Sequence, residues 1–95
     1  MLIVTGSVTA RSSDAFERLL ALSLEHVRRS RTEPGCIGHS VHVDCENSLR
    51  LFFFERWADR AALEAHFAVP GSIAFIREMS ALTSATDGPT IFETA

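Results

Sequence analysis

The sequence predicts an α+β domain built on one four-stranded antiparallel sheet, and three observations carry that expectation. Leu49-Arg50-Leu51-Phe52-Phe53-Phe54-Glu55-Arg56-Trp57 is a strand whose middle is apolar at every position, so both faces of its sheet need a cover. Strand-like and helical periodicities follow one another in an order that returns the chain to a single sheet. With 95 residues there is one domain, residues 1–95, whose small core makes association with a second copy a natural source of further burial.

The elements follow in order. Leu2 to Val8 alternates, with Leu2, Val4 and Val8 on one side and Ile3, Thr5, Ser7 and Thr9 on the other. Gly6 interrupts the apolar side, where a bulge or the close approach of a backbone, ring or ligand is expected. Ser12-Ser13-Asp14 opens a helix, Asp14 and Glu17 stand at capping-box spacing, and Phe16, Leu19, Leu20, Leu24 and Val27 form its apolar stripe. It runs to about Arg31 and ends at Glu33-Pro34-Gly35.

Cys36 to Cys45 reads as a second strand, with Ile37, His39, Val41 and Val43 on one face and Gly38, Ser40, His42 and Asp44 on the other. The polar turn Glu46-Asn47-Ser48 makes it an antiparallel hairpin with the Leu49–Trp57 strand. Asp59 caps a short helix, Pro70-Gly71-Ser72 breaks it, and Ser72 caps a further helix bearing Ile73, Phe75, Ile76, Met79 and Leu82. Asp87-Gly88-Pro89 turns the chain into a last strand, Thr90 to Thr94.

That order is the split βαββααβ pattern of ferredoxin-like folds. Both crossovers place their helices on one face, which leaves Phe52 and Phe54 on the other. A second copy of the sheet, packed face to face in a homodimer, is the expected cover.

Composition excludes several classes. All nine basic residues are arginine against twelve acids, and the net charge of −3 argues against nucleic acid. The one basic cluster, Arg28, Arg29 and Arg31, sits at a helix end, where a solvated surface suits the macrodipole. No apolar stretch approaches a membrane span, and Met1-Leu2-Ile3-Val4 is too short for a signal-peptide core, so a cytoplasmic location is expected. Cys36 and Cys45 bracket a strand roughly 30 Å long, beyond disulfide reach, and are expected as buried free thiols.

Among the titratable residues His66 stands out, because it flanks the Leu63 and Phe67 stripe at the rim of the space between sheet and helices. There it would accept a proton near neutral pH or steady a developing oxyanion, or else simply bond a backbone carbonyl or Glu55. His39 lies on the apolar side of its strand, whereas His42, three residues on, points to the opposite face, so the two share no metal. His26 is expected in solvent. With no clustered Cys/His spacing, no metal site is expected, and there is neither a phosphate loop nor a nucleophile motif.

Three segments, Glu33-Pro34-Gly35-Cys36, Phe54-Glu55-Arg56-Trp57 and Asp59 through Ala65-His66, together resemble the antibiotic biosynthesis monooxygenase domain family, small dimeric α+β barrels. The resemblance covers nearly the whole chain. It implies a pocket between sheet and helices, with Trp57 as one wall and Phe53 and Leu51 behind it, although Trp57 would serve equally as a core anchor. It further implies His66 and Trp57 as catalytic residues, and His39, Phe53, Leu51 and Arg77 as substrate contacts. Arg77 stands where some phenol-oxidising relatives carry an arginine, but helical spacing puts it at the edge of the polar side. The chain has no tyrosine, so any phenolic hydroxyl those relatives use is absent.

What the resemblance implies is a monooxygenase needing no cofactor, acting with O2 on a small electron-rich aromatic or polyketide-like molecule. A deprotonated phenol can itself give an electron to oxygen, leaving the protein to orient, desolvate and accept a proton. A haem-degrading relative is the alternative, weakened because Gly6-Ser7 stands where those proteins carry asparagine. A non-catalytic protein that shields a reactive small molecule is the other.

Overall fold

A computed structural model describes residues 1–94 of the chain. The element order is β1 (Leu2–Ala10), α1 (Ser13–Ser30), β2 (Cys36–Asp44), β3 (Asn47–Trp57), α2 (Arg60–Ala68), α3 (Pro70–Leu82) and β4 (Thr83–Glu93). The strands form one antiparallel sheet in the order β2-β3-β1-β4. This is the expected ferredoxin-like α+β architecture.

Register explains the two covers that β3 demands. Leu51, Phe53 and Trp57 pair with Val8, Gly6 and Leu2 on the face that the helices cover, and Leu51 and Trp57 are fully buried there. Phe52 and Phe54 project from the outer face, where Phe52 is 37% exposed and Phe92 of β4 is 50% exposed. Two apolar clusters fill the helix side. One joins Val8, Leu51 and Phe53 to Leu19, Leu22 and Val27 of α1 and Phe75 of α3, and the other joins Leu2, Val4 and Trp57 to Leu63 of α2.

Several local expectations are corrected. The cap of α1 is Ser12, whose Oγ accepts from Ala15 N at 3.1 Å, and not Asp14. Its buried face is Ala15, Leu19, Leu22, Ser23, His26, Val27 and Ser30, rotated from the stripe of largest side chains. Small residues let the helix lie close to the sheet, so Phe16 and Leu20 end as partly buried flanks. Pro70 is the first residue of α3 rather than a breaker ahead of a Ser72 cap, since a helix tolerates proline where its N–H has no partner. In β2, Ile37 sits at a register shift between Cys36 and Gly38 and is exposed rather than sharing the face of His39. Cys36 is half-buried and Cys45 exposed, both free, so the expectation of two buried thiols fails.

The largest correction concerns β4, which starts at Thr83 rather than Thr90. Thr5 pairs with Thr90 but Ser7 with Asp87, so Gly88 and Pro89 stand together opposite Gly6 as a bulge within the strand. Gly88 has φ +99°, and a Cβ there would lie 3.0 Å from Thr5 O and 3.1 Å from Gly6 Cα. The glycine pair is what lets the two backbones touch. Among the described residues no helix is long and apolar enough to cross a membrane.

Candidate functional site

A cavity of about 580 Å³ lies between the helix side of the sheet and helices α1, α2 and α3. Its buried end is polar: His26, His39 and His66 are 6%, 3% and 3% exposed and all line it. They reach it from three elements, α1, β2 and α2. Ring centroids are 5.2 Å apart for His26 and His66, 5.3 Å for His26 and His39, and 5.5 Å for His39 and His66. Its mouth is apolar, formed by Phe67, Ile73 and Ile76, each about half exposed.

Local geometry sets what each histidine can do. His66 stands on the buried face of α2, a helix fixed at its start by Asp59 Oδ1 accepting from Ala62 N at 2.8 Å. Its Nδ1–H donates to Glu33 Oε1 at 2.8 Å, and Trp57 packs behind the ring at a centroid distance of 4.6 Å. With the proton held at Nδ1 by a carboxylate, Nε2 carries the lone pair, and the ring is fixed in orientation.

His26 has the opposite arrangement. It stacks on Phe75 at 4.1 Å and 8°, and Arg29 Nη2 donates to its Nδ1 at 2.6 Å. A guanidinium can only donate, so the neutral ring carries its proton on Nε2. Burial, then the neighbouring His39, His66 and Arg29, push its pKa from 6.5 down to about 3. Near neutral pH His26 is therefore an uncharged donor beside a histidine that accepts. Neither Nε2 has a hydrogen-bond partner among the described residues.

His39 is held by strand β2, whose His39 carbonyl accepts from Arg31 Nε at 2.9 Å. Its Nε2 lies 3.3 Å from Glu55 Oε1, close enough for an ion pair but without hydrogen-bond geometry, so neither ring nitrogen has a partner. Trp57 Nε1 donates to the same Glu55 oxygen at 2.9 Å. Burial raises the Glu55 carboxyl, yet the contacts with His39, Trp57 and the more distant His66 outweigh it and leave the group below its ordinary range. Cys36 is pushed up by burial and by Glu33 and Glu55, which keeps it a thiol rather than a nucleophile.

Of the residues picked out from sequence, His66, His39 and Phe53 line the cavity. Trp57 and Leu51 do not: Trp57 backs His66, and Leu51 is sealed in the core cluster under α1. Arg77 lies on the exposed side of α3, away from the cavity, because Phe75 takes the inward position of that helix. His26, expected in solvent, is buried at the centre of the site, and Arg29, expected on a solvated surface, is its partner. Glu33, expected only to end α1, supplies the partner of His66, in place of the backbone carbonyl or Glu55 expected as alternatives. The signal for His26 was its spacing of three and four residues from Ser23, Leu22 and Ser30, a stripe that a search for large apolar side chains passes over.

Comparison with known proteins gives a consistent picture. The family described as antibiotic biosynthesis monooxygenase matches residues 1–78. An uncharacterized protein of Synechocystis, sll1783, is 36% identical over 77 residues, which cover 81% of this chain and 52% of that protein. The chain thus spans about half the length of that curated relative. Among solved structures, a Deinococcus radiodurans protein provisionally assigned as an antibiotic biosynthesis monooxygenase superposes with TM-score 0.94 at 25% identity, covering 100% of this chain and 93% of that one. Another, described as an antibiotic biosynthesis monooxygenase, gives TM-score 0.91 at 26% identity, covering 100% and 99%. PA3566 from Pseudomonas aeruginosa gives 0.83 at 30% identity, covering 99% and 94%.

Proposed function

This chain belongs to the antibiotic biosynthesis monooxygenase family, and we propose that it is a cofactor-independent monooxygenase that oxidises a small electron-rich phenol or polyketide-like molecule with O2. The observation that carries this reading is the pair of histidines in opposite tautomers on one cavity. His66 Nε2 accepts the phenolic proton, helped by the Glu33 carboxylate at 2.8 Å. His26 Nε2–H donates to the oxygen on which charge develops, and it stays uncharged while doing so.

The redox balance needs no further reductant. A phenolate passes one electron to O2, the resulting radical pair joins as a ring-carbon peroxide, and loss of the ring C–H proton with cleavage of the O–O bond gives a quinone and water. All four electrons taken up by O2 come from the substrate. The proton that His66 removed returns to the departing hydroxide. Phe53 and Phe75, with the apolar mouth of Phe67, Ile73 and Ile76, provide flat contact and exclude water around the ring.

The working unit is a homodimer in which a second copy covers the outer sheet face. The exposed Phe52 and Phe92 support that reading, since two aromatic side chains on one open face are an unfavourable surface for a lone chain.

The test is oxygen uptake with a panel of naphthols, hydroquinones and anthrones in cofactor-free buffer. Turnover is expected in air, abolished without O2, and reduced in His66→Ala. Tight binding of the panel without oxygen uptake would instead assign the protein to shielding a reactive molecule, and full activity in His66→Ala would remove that histidine from the chemistry.

A further inference from the structure

The same three histidines also meet the requirements of a metal centre, which sequence spacing gave no reason to expect. One ring nitrogen from each of His26, His39 and His66 lies within 4.8 Å of one from each of the others. A tetrahedral ion bonded at about 2.0–2.1 Å holds its nitrogens about 3.4 Å apart, so closing the cluster takes side-chain rotations of about 1.4 Å. That is within reach of rings at the edge of a cavity.

A second observation points to a missing ligand. The His39 side chain is wholly buried, yet its Nδ1 has no partner and its Nε2 meets only the Glu55 carboxylate, at 3.3 Å and outside hydrogen-bond geometry, a costly state for a polar ring. Two of the three rings have a partly buried carboxylate behind them, Glu33 at 2.8 Å from His66 and Glu55 at 3.3 Å from His39. Carboxylates in that position fix the tautomer of a ligating histidine and raise its basicity. Glu33 and Glu55 supply negative charge beside the rings, Arg29 is the guanidinium that touches a ring nitrogen, and Arg31 meets only the His39 carbonyl.

We propose that His26, His39 and His66 bind one late first-row divalent ion of the Zn2+ or Co2+ type, with a remaining coordination position open to the cavity. Arg29 opposes binding. His26 Nε2 offers a lone pair only when Nδ1 carries the proton, and Arg29 Nη2 now donates to that Nδ1, so the guanidinium withdraws when the ion enters. The inference goes beyond the oxidation chemistry and does not rest on it. A bound ion takes the His66 lone pair, so metal occupancy and base catalysis exclude one another.

The test is titration of chelator-stripped protein with CoCl2, read by visible absorption and equilibrium dialysis, in a His42→Ala, Cys45→Ser background that removes two exposed competing ligands. One equivalent per chain is expected, with the intense d–d bands of a four- or five-coordinate ion. His39→Gln should abolish the bands. Glu55→Gln keeps the core intact and should weaken binding about 10–100-fold, and Arg29→Gln, which supplies an acceptor for Nδ1–H, should tighten it about tenfold. Absence of d–d bands overturns the proposal, as does an affinity unchanged in either His39→Gln or Glu55→Gln; failure of Arg29→Gln to tighten binding removes His26 from the ligand set. No arm reads activity, so a negative result leaves the oxidation chemistry untouched.

Discussion

Mild acid should destabilise this fold through one side chain, His26. Arg29 of α1, His39 of β2 and His66 of α2 face its ring, Phe75 of α3 stacks on it, and Glu33 and Glu55 lie behind the two neighbouring histidines. An unfolded histidine takes up its proton near pH 6.5, whereas His26 in the fold does so only near 3. Its folded pKa is depressed, so between those values the unfolded chain binds more protons. Stability is therefore whole above pH 6.5 and is lost as pH falls towards 3. At about 1.4 kcal/mol per pH unit the loss at pH 5 is about 2 kcal/mol, a large share of the roughly 5–15 kcal/mol that holds a domain together. Glu55, whose carboxyl is held low, keeps its contribution down to about pH 4.5 and so stays silent in this window. Urea unfolding at pH 7.5 and 5.0, with chelator present, should show wild type losing about 2 kcal/mol more than His26→Gln on acidification. Equal losses in the two proteins would refute the argument that His26 is held neutral by its surroundings.

Three further outcomes follow from geometry. His66→Ala should lower kcat/KM for an oxidised phenol roughly 10²–10⁴-fold, and Glu33→Gln should lower it by a smaller factor in the same direction, both measured by oxygen uptake. Phe52→Glu places a charge on the open sheet face and should shift sedimentation at micromolar concentration from dimer to monomer with an unchanged circular-dichroism spectrum; a wild-type monomer would defeat the expected cover. Gly88→Ala forces a Cβ to within 3.0 Å of Thr5 O at φ +99° and should cost about 1–3 kcal/mol, read from the urea midpoint.

The sheet was legible because its signals are local and strong. Every position from Leu51 to Phe54 is apolar, the turn before Leu49 is polar, and Asp59 is a good cap, so β3, the hairpin and α2 follow from short-range rules. The last strand was legible only in its second half. Asp87-Gly88-Pro89 has the composition of a turn, and only pairing with Gly6, more than eighty residues away, makes it a bulge instead.

The site was half legible for a related reason. His39 and His66 declared themselves by lying next to apolar stripes. His26 did not, since the face of α1 that approaches the sheet is made of Ser23, Ser30 and Ala15 as much as of leucine, and hydrophobicity alone centres the helix on the wrong side. Glu33 and Arg29 were visible only as helix-ending residues. Their contacts with His66 and His26 depend on how α1 leaves the sheet, which no periodicity encodes.

The bulge of β4 has a bearing on selectivity. Where Gly6 meets Gly88 and Pro89, part of one side of the chamber is closely packed main chain with little side-chain bulk to exchange. A guest can lie flat there but cannot be told apart from another guest of similar thickness. Discrimination must come from the helical wall facing it, where the half-exposed Ile73 and Ile76 can change size without disturbing the core, and a shift in diet would be written in those two positions first.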